Sequence, residues 1–242
     1  MPQPFAMTQT HRTLQDLLYE QVARIGKALS SPKRLEILDL LAQGEKSVDR
    51  LAEEAGIDIK LASAHLRVLK EGRLVMTRRQ GRFIFYRLSG EDVASLNVMV
   101  RCVAEEHLLE LRATLERMSG DIETLDARSR ADLLARARQG EVVVIDVRPP
   151  EEYQTAHLPF ARSLPLAEIE ARLAELPTDR EIVAYCRGPF CVLSDEAVAL
   201  LRRRGYQAQK LSDGVSEWQA AGLPLESPAA VSSNDHAHMS DR

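Results

Sequence analysis

The run Val142-Val143-Val144-Ile145, continued by Asp146-Val147, is apolar on both of its alternating faces. A strand with one wet face alternates apolar and polar residues. A strand that is apolar throughout is buried on both sides, as in a parallel sheet covered by helices. The neighbouring segments agree. Ser129 with Asp132 makes a capping pattern for a helix to about residue 139, ended by Gly140. A helical pattern over 166–176 follows, then a strand over 182–185, a helix over 194–204, a short strand near 207–211 and a helix over 215–221. Strands alternating with helices predict a small parallel α/β sheet with helices on both faces.

The strand over 182–185 runs into Cys186-Arg187-Gly188-Pro189-Phe190-Cys191-Val192, and a helical pattern resumes at Ser194. In open α/β sheets reactive groups gather at the carboxyl ends of strands. A thiolate at a strand-to-helix turn is stabilised by loop N–H groups and by the positive end of the helix. A free cysteine is also often a small buried residue and nothing more. The loop alone leaves both readings open.

The composition, 45% hydrophobic and 28% charged, is that of a globular chain. The longest aliphatic run is far too short to span a bilayer. The first residues, Met1-Pro2-Gln3-Pro4-Phe5, show no basic region followed by an apolar core, so no secretory signal and no membrane association are expected. Three cysteines in 242 residues do not build a disulfide framework, and a reducing cytoplasm is the expected setting. The net charge of −4 hides a division: residues 1–120 carry +2 and residues 121–242 carry −6. Between 60 and 87, Lys60, Arg67, Lys70, Arg73, Arg78, Arg79, Arg82 and Arg87 stand against Glu71 alone. A basic island of this kind in an acidic chain points to a face that binds a polyanion.

The first half is patterned differently. Residues 8–29 read as a helix with apolar positions Leu14, Leu17, Leu18, Val22, Ile25 and Leu29. Ser31 suits an N-cap and Pro32 a first helical position for the helix that carries Leu35, Ile37, Leu38, Leu40 and Leu41. Ser47 caps a short helix over 48–55, and Asp58 caps another that runs to Glu71 and closes at Gly72. Two β-rich runs around Gln80-Gly81 then predict a hairpin with Arg78, Arg79 and Arg82 at its tip, suited to phosphates or the minor groove. Residues 91–118 carry one more amphipathic helical pattern. Three short helices followed by a basic ribbon is the order of a winged helix-turn-helix.

Three stretches in this order, Ser31-Pro32-Lys33-Arg34-Leu35-Glu36-Ile37-Leu38, Ala62-Ser63-Ala64-His65-Leu66-Arg67-Val68-Leu69-Lys70-Glu71-Gly72 and Arg78-Arg79-Gln80-Gly81-Arg82-Phe83-Ile84-Phe85-Tyr86, resemble the ArsR/SmtB family of dimeric repressors over about residues 14–116. The resemblance implies that the helix over 58–71 is the recognition helix. Leu61, Ala62, Leu66 and Leu69 then face the core, while Lys60, Ser63, Ala64 and Arg67 face the major groove, where hydroxyl and guanidinium groups read base edges. His65, at a family position, is expected to pack or to bond phosphate. The family's first and last helices make the dimer, so 8–29 and 91–118 are the expected homodimer interface. It would set two recognition helices about one DNA turn apart on a double-stranded operator. The chain departs from the metal-sensing members. Ser47-Val48-Asp49-Arg50-Leu51-Ala52 holds no cysteine pair, and on the last helix Cys102 and Glu106 make only two ligands on one face. No metal site and no cofactor are expected. Some members sense sulfur through a cysteine pair, but Cys102 has no partner cysteine in this half.

In the second half, Ile145-Asp146-Val147-Arg148 with Glu151-Glu152-Tyr153-Gln154-Thr155-Ala156-His157-Leu158-Pro159, the loop from Cys186 to Val192, and Leu211-Ser212-Asp213-Gly214-Val215-Ser216-Glu217-Trp218 resemble the rhodanese family over about 122–226. The resemblance implies that Cys186 accepts a sulfane sulfur from a donor and carries it as a persulfide. The loop N–H groups from Arg187 to Val192 would cradle the charged sulfur, with Gly188, Pro189, Phe190 and Val192 forming the cradle. It implies supporting roles for Asp146, Arg148, Glu152 and His157, and a core position for Trp218. The loop has the sulfurtransferase length. The position five after the cysteine, often arginine, is Cys191, so phosphatase or arsenate reductase chemistry is not expected. Arg187 is left to attract anions, and Cys191 to close a disulfide or sulfur-bridged link with Cys186.

The expected organisation is a winged helix-turn-helix domain over 1–119, a rhodanese-like domain over 120–226 and a polar, disordered tail over 227–242. The expected function is that of a DNA-binding regulator that senses reactive sulfur or redox state through Cys186 and Cys191. Two rival readings are a working sulfurtransferase that governs its own expression and an arsenite or soft-metal responsive repressor.

Overall fold

The computed structural model describes residues 9–120, 122 and 124–228; the expected tail beyond Pro228 lies outside the described residues. Packing groups the chain into two compact units, Met1–Val93 and Ala94–Arg242.

In the first unit the order is α1 (Gln9–Leu29), α2 (Pro32–Ala42), β1 (Lys46–Ser47), α3 (Val48–Glu54), α4 (Ile59–Glu71), β2 (Val75–Gln80) and β3 (Phe83–Leu88). Helix starts are chemically marked. The Ser47 hydroxyl accepts the Arg50 N–H and the Asp58 carboxylate accepts the Leu61 N–H, satisfying donors that a first turn leaves free. Ser31 occupies the cap position before Pro32, but its side chain makes no cap bond. Ile37, Leu38, Leu41, Leu51, Leu66, Leu69, Leu74 and Val75 close one core. Leu61, expected in that core, is 42% exposed. The buried positions of α4 are Ala62, Leu66 and Leu69, and Leu61 lies one residue off that face. β2 and β3 pair antiparallel around Gly81-Arg82, with Gly81 at φ 61°, a conformation that glycine adopts without a Cβ clash. β1 adds to the other edge of β3.

Helix α5 (Glu91–His107) crosses the division between the units, and α6 (Leu109–Ser119) follows. The pattern predicts one helix over 91–118. The structure breaks it at Leu108, at φ −106° and ψ 104°. The Arg112 guanidinium donates to the carbonyls of Glu105 at 3.1 Å and Glu106 at 2.7 Å. It thereby takes over acceptors that the end of α5 leaves without intrahelical partners.

The second unit continues with β4 (Thr124–Leu125), α7 (Arg130–Gln139), β5 (Val142–Asp146), α8 (Pro150–Thr155), β6 (Arg162–Ser163), α9 (Ile169–Arg172), β7 (Glu181–Tyr185), α10 (Leu193–Arg203), β8 (Ala208–Leu211) and α11 (Val215–Ala220). The sheet order is β4-β8-β7-β5-β6, and every neighbouring pair is parallel. The predicted two-sided burial holds residue by residue. Val143, Ile145, Ile182 and Ala184 pack with Ile169, Val198 and Leu201 on one face. Val142, Val144, Val183 and Tyr185 pack with Leu133, Val215 and Trp218 on the other. Ser129 does not cap α7. Asp126 caps a 3₁₀ turn over Ala127–Ser129 instead, accepting the Arg128 N–H at 2.9 Å. The predicted helix over 166–176 is broken into a 3₁₀ turn, the single turn α9 and a second 3₁₀ turn. The register aligns Asp146 with Tyr185, so β5 and β7 end level at the carboxyl edge, where Cys186 follows.

Candidate functional site

β7 delivers Cys186 to that edge and α10 resumes at Leu193, leaving residues 186–192 as a tight loop. Cys186 is 1% exposed. Its sulfur lies 3.1 Å from the Ser194 hydroxyl, 3.4 Å from the Cys191 carbonyl oxygen and 3.9 Å from the Gly188 carbonyl oxygen. Carbonyl oxygens accept from a thiol and repel a thiolate. Burial first, and then the neighbouring Cys191, raise the Cys186 thiol well above its ordinary range. Cys191 is partly exposed. The hydrogen bond from Cys186 pulls its thiol down to about 6 against the opposing effect of burial, helped by the N–H groups of Arg187 and Leu193. Of the two thiols, Cys191 is therefore the one on which the loop favours a negative charge.

The rest of the loop is held from below. The Arg187 guanidinium, read from the sequence as an anion attractor, lies on the buried Glu152 carboxylate, with Nε at 2.9 Å and Nη2 at 2.5 Å. The Cys191 N–H is turned onto the Gly188 carbonyl at 3.1 Å. Gly188 has φ 132°, and a Cβ there would stand 2.8 Å from Glu217 Oε2. Pro189 is half-buried, and Phe190 and Val192 form an exposed apolar rim.

Beneath the loop, Asp146 and Arg148 form an ion pair at 2.5 Å with both side chains 0% exposed. Burial opposes the Arg148 charge, and Asp146 more than offsets it, so the guanidinium pKa is raised. Arg148 also donates to the Ala156 carbonyl at 2.8 Å. The Tyr185 hydroxyl donates to Asp146 at 2.6 Å and accepts the Leu158 N–H at 3.1 Å. This network joins the ends of β5 and β7 to the segment around Leu158. His157 stacks on Tyr153 at 3.8 Å between ring centroids and donates from Nδ1 to the Tyr153 carbonyl. Trp218 is in the core.

Sequence reasoning gave no role to Ser194, Gly214, Glu217 or Arg101. A Cβ on Gly214 would stand 2.5 Å from the Arg187 carbonyl carbon and 2.7 Å from the Cys186 carbonyl oxygen, so only glycine lets α11 back onto the loop. Glu217 accepts the Gly214 N–H at 2.8 Å and binds the Arg101 guanidinium. Gly214 and Glu217 lie in the stretch Leu211–Trp218 and were legible as a pattern without a function. Arg101 carried no signal, because it sits on a helix read as part of the other half. Cys102 is exposed on the same helix. Among the described residues, no three His, Cys, Asp or Glu side chains converge to hold a metal ion, and no helix is long and apolar enough to cross a membrane.

In the first unit, Lys60, Ser63, Ala64 and Arg67 all lie on the exposed face of α4, and His65 is half-buried. Arg67 pairs with Glu71 at 2.9 Å, with side chains 81% and 62% exposed. Arg78, Arg79 and Arg82 are exposed around the hairpin tip. Arg78 lies against Glu45, whose hydrogen bonds raise its pKa, and over the Phe85 ring; Arg82 lies over Phe83. Hydroxyl, methyl and guanidinium groups on one exposed helix face, flanked by cations on a ribbon, have the chemistry for base edges and phosphates.

Comparison with known proteins matches two stretches of the chain separately. Residues 31–77 match the family described as bacterial regulatory protein, arsR family, and residues 115–221 match the rhodanese-like domain. The chain is 49% identical over 218 residues to the HTH-type transcriptional regulator Rv0324 of Mycobacterium tuberculosis, covering 90% of this chain and 96% of that one. It is 33% identical over 108 residues to a sulfurtransferase of Allochromatium vinosum, covering 44% of this chain and 97% of that protein. Among solved structures, the homodimeric winged helix-turn-helix DNA-binding domain of a possible ArsR-family regulator from Mycobacterium bovis is 48% identical. That match covers 43% of this chain and 94% of that one at a TM-score of 0.38. The chain is therefore a member of the arsR family of bacterial regulatory proteins that carries a rhodanese-like domain after its winged helix.

Proposed function

We propose that this regulator binds a double-stranded operator as a homodimer in a reducing cytoplasm, and that sulfane sulfur captured by Cys186 and Cys191 changes its affinity for DNA. The observation that carries the reading is the loop dithiol: buried Cys186 and partly exposed Cys191 in one tight loop, the Cys186 sulfur 3.4 Å from the Cys191 carbonyl oxygen, in a chain whose other half matches the arsR family. The more acidic and more accessible Cys191 makes the first attack, and Cys186 is the second thiol. This reverses the order that the family resemblance implies. A Cys191 thiolate attacks a polysulfide Sₙ²⁻, forming a persulfide RSS⁻ and releasing the shortened Sₙ₋₁²⁻. The Cys186 thiol then attacks the inner sulfur, closing the disulfide and releasing HS⁻. Sulfane sulfur is the oxidant, and atoms and charge balance in both steps.

Dimerisation is supported by apolar side chains left exposed within each unit. These are Leu14, Leu17, Leu18, Tyr19 and Val22 on α1, and Met99 and Val103 on α5. DNA contact is assigned to Lys60, Ser63, Ala64, Arg67, Arg78, Arg79 and Arg82, and sulfur handling to residues 120–226.

The test is operator affinity of wild type and Cys186→Ser, reduced and after polysulfide, with mass spectrometry of the loop. The wild type should change affinity about tenfold, which needs only about 1.4 kcal/mol of differential stabilisation. An equal response from Cys186→Ser would sink the reading. The similarity to a sulfurtransferase favours a second reading, turnover of thiosulfate to cyanide. The sealed position of Cys186 favours stable loading over fast transfer, and a steady-state assay decides between them.

A further inference from the structure

We propose that Arg101 is the positioning residue through which the state of the sulfur loop reaches helix α5. The inference rests on the regulatory reading above and adds its route.

Arg101 is a buried residue of α5, and its guanidinium binds the Glu217 carboxylate. The same guanidinium stands 5.5 Å over the ring of Phe190, which is the neighbour of Cys191 in the loop. Glu217 in turn fills the space left by the missing side chain of Gly188 and accepts the Gly214 N–H. Gly214 backs onto the carbonyls of Cys186 and Arg187. A continuous chain of contacts therefore runs from the two cysteines through Gly188 and Glu217 to Arg101. Burial makes the Glu217 carboxyl harder to ionise, and Arg101 is the cation that opposes this, so the carboxylate depends on Arg101 staying in place. A second ion pair, Arg130 with Asp213, holds the residue next to Gly214.

Closing a Cys186–Cys191 bond draws the sulfurs to about 2 Å and re-forms the four residues between them. Gly188 and Phe190, the two that touch Glu217 and Arg101, are among those four. The loop cannot close without changing what Arg101 rests on. α5 is continuous from Glu91, in the first unit, to His107, so a displacement at Arg101 is carried along a rigid element. Linkage requires the converse: DNA bound at the other end alters the equilibrium of sulfur loading by the same factor.

The experiment uses the full chain and a duplex selected from a random pool by the reduced wild type. The variant is Arg101→Met combined with Glu217→Gln, which removes both charges of the buried pair together. With loop modification shown complete by mass spectrometry, the wild type is expected to change DNA affinity about tenfold and the variant by less than about twofold. A variant that keeps the wild-type ratio overturns the assignment. A wild type that shows no ratio with its loop fully modified overturns the regulatory reading itself, a different result from the same titration. If the double variant does not fold, Arg101→Lys, which keeps the charge and loses the planar contact with Phe190, is judged by the same criterion.

Discussion

Helix α4 and the cysteine loop both rely on arginines and carboxylates, yet they hold them in opposite ways. On α4 the Arg67–Glu71 pair is mostly in water, and its partners are free to exchange each other for a phosphate or a base edge. At the carboxyl edge of the sheet, Asp146 and Arg148 are sealed, and Glu152 and Glu217 are each buried against an arginine. Exposed pairs leave a surface adjustable. Buried pairs fix geometry, because a charge that loses its partner in the interior has no water to turn to. The same residue types make an exposed, exchangeable face in one unit and position two thiols in the other.

The largest effect expected from this contrast is at Asp146. Asp146→Asn leaves Arg148 charged in a sealed site and weakens the bond from Tyr185, so urea unfolding should show a loss of about 3–5 kcal/mol. A loss below about 1 kcal/mol would mean that water reaches the site and the contrast is false.

The thiols give the second test, in pH. With its pKa lowered to about 6, Cys191 is mostly thiolate at neutrality, so its alkylation rate should rise through about pH 6 and then level off. Replacing Cys186 by alanine removes the first cause of that shift, the hydrogen bond it donates. The midpoint should move up toward the ordinary thiol value of about 8.5, and the rate at pH 7 should fall. An unmoved midpoint would assign the acidity to the N–H groups of Arg187 and Leu193 alone.

The contrast also explains what the sequence made legible. The resemblance to a known family puts Lys60, Ser63, Ala64 and Arg67 on one outward face of a regular helix, and in the structure all four are exposed on α4. The central strands were legible directly, since two-sided burial writes an unbroken apolar run. The supports of the loop were not. Glu217 meets Gly188 across about thirty residues and Arg101 across 116, and no local period encodes such meetings. Leu61 misled because an apolar residue at the edge of a helix face is not told from one at its centre, and edge strands as short as β4 and β6 have no period to read.

On the DNA side the expected effects are smaller and separable. If Arg67 reads a base as proposed, Arg67→Ala should relax base preference by about 1–3 kcal/mol. Arg79→Ala should weaken all sequences alike and reduce the salt slope by about one unit.

The smallest effect is the sharpest test of the exposed half of the comparison. Glu71 is the single acidic residue among the eight cations between 60 and 87. Its bond to Arg67 is an exposed i,i+4 pair, worth about 0.3–0.5 kcal/mol on a helix. Glu71→Gln should therefore leave urea stability within about 0.5 kcal/mol of wild type. It should also tighten DNA binding modestly and for every sequence, by removing a negative charge from the proposed DNA-binding surface and releasing Arg67. The salt slope should stay unchanged, because no cation is added. A stability loss of more than about 1 kcal/mol would show that this pair, although in water, is structural in the way Asp146 and Arg148 are. The two regions would then differ in exposure without differing in kind.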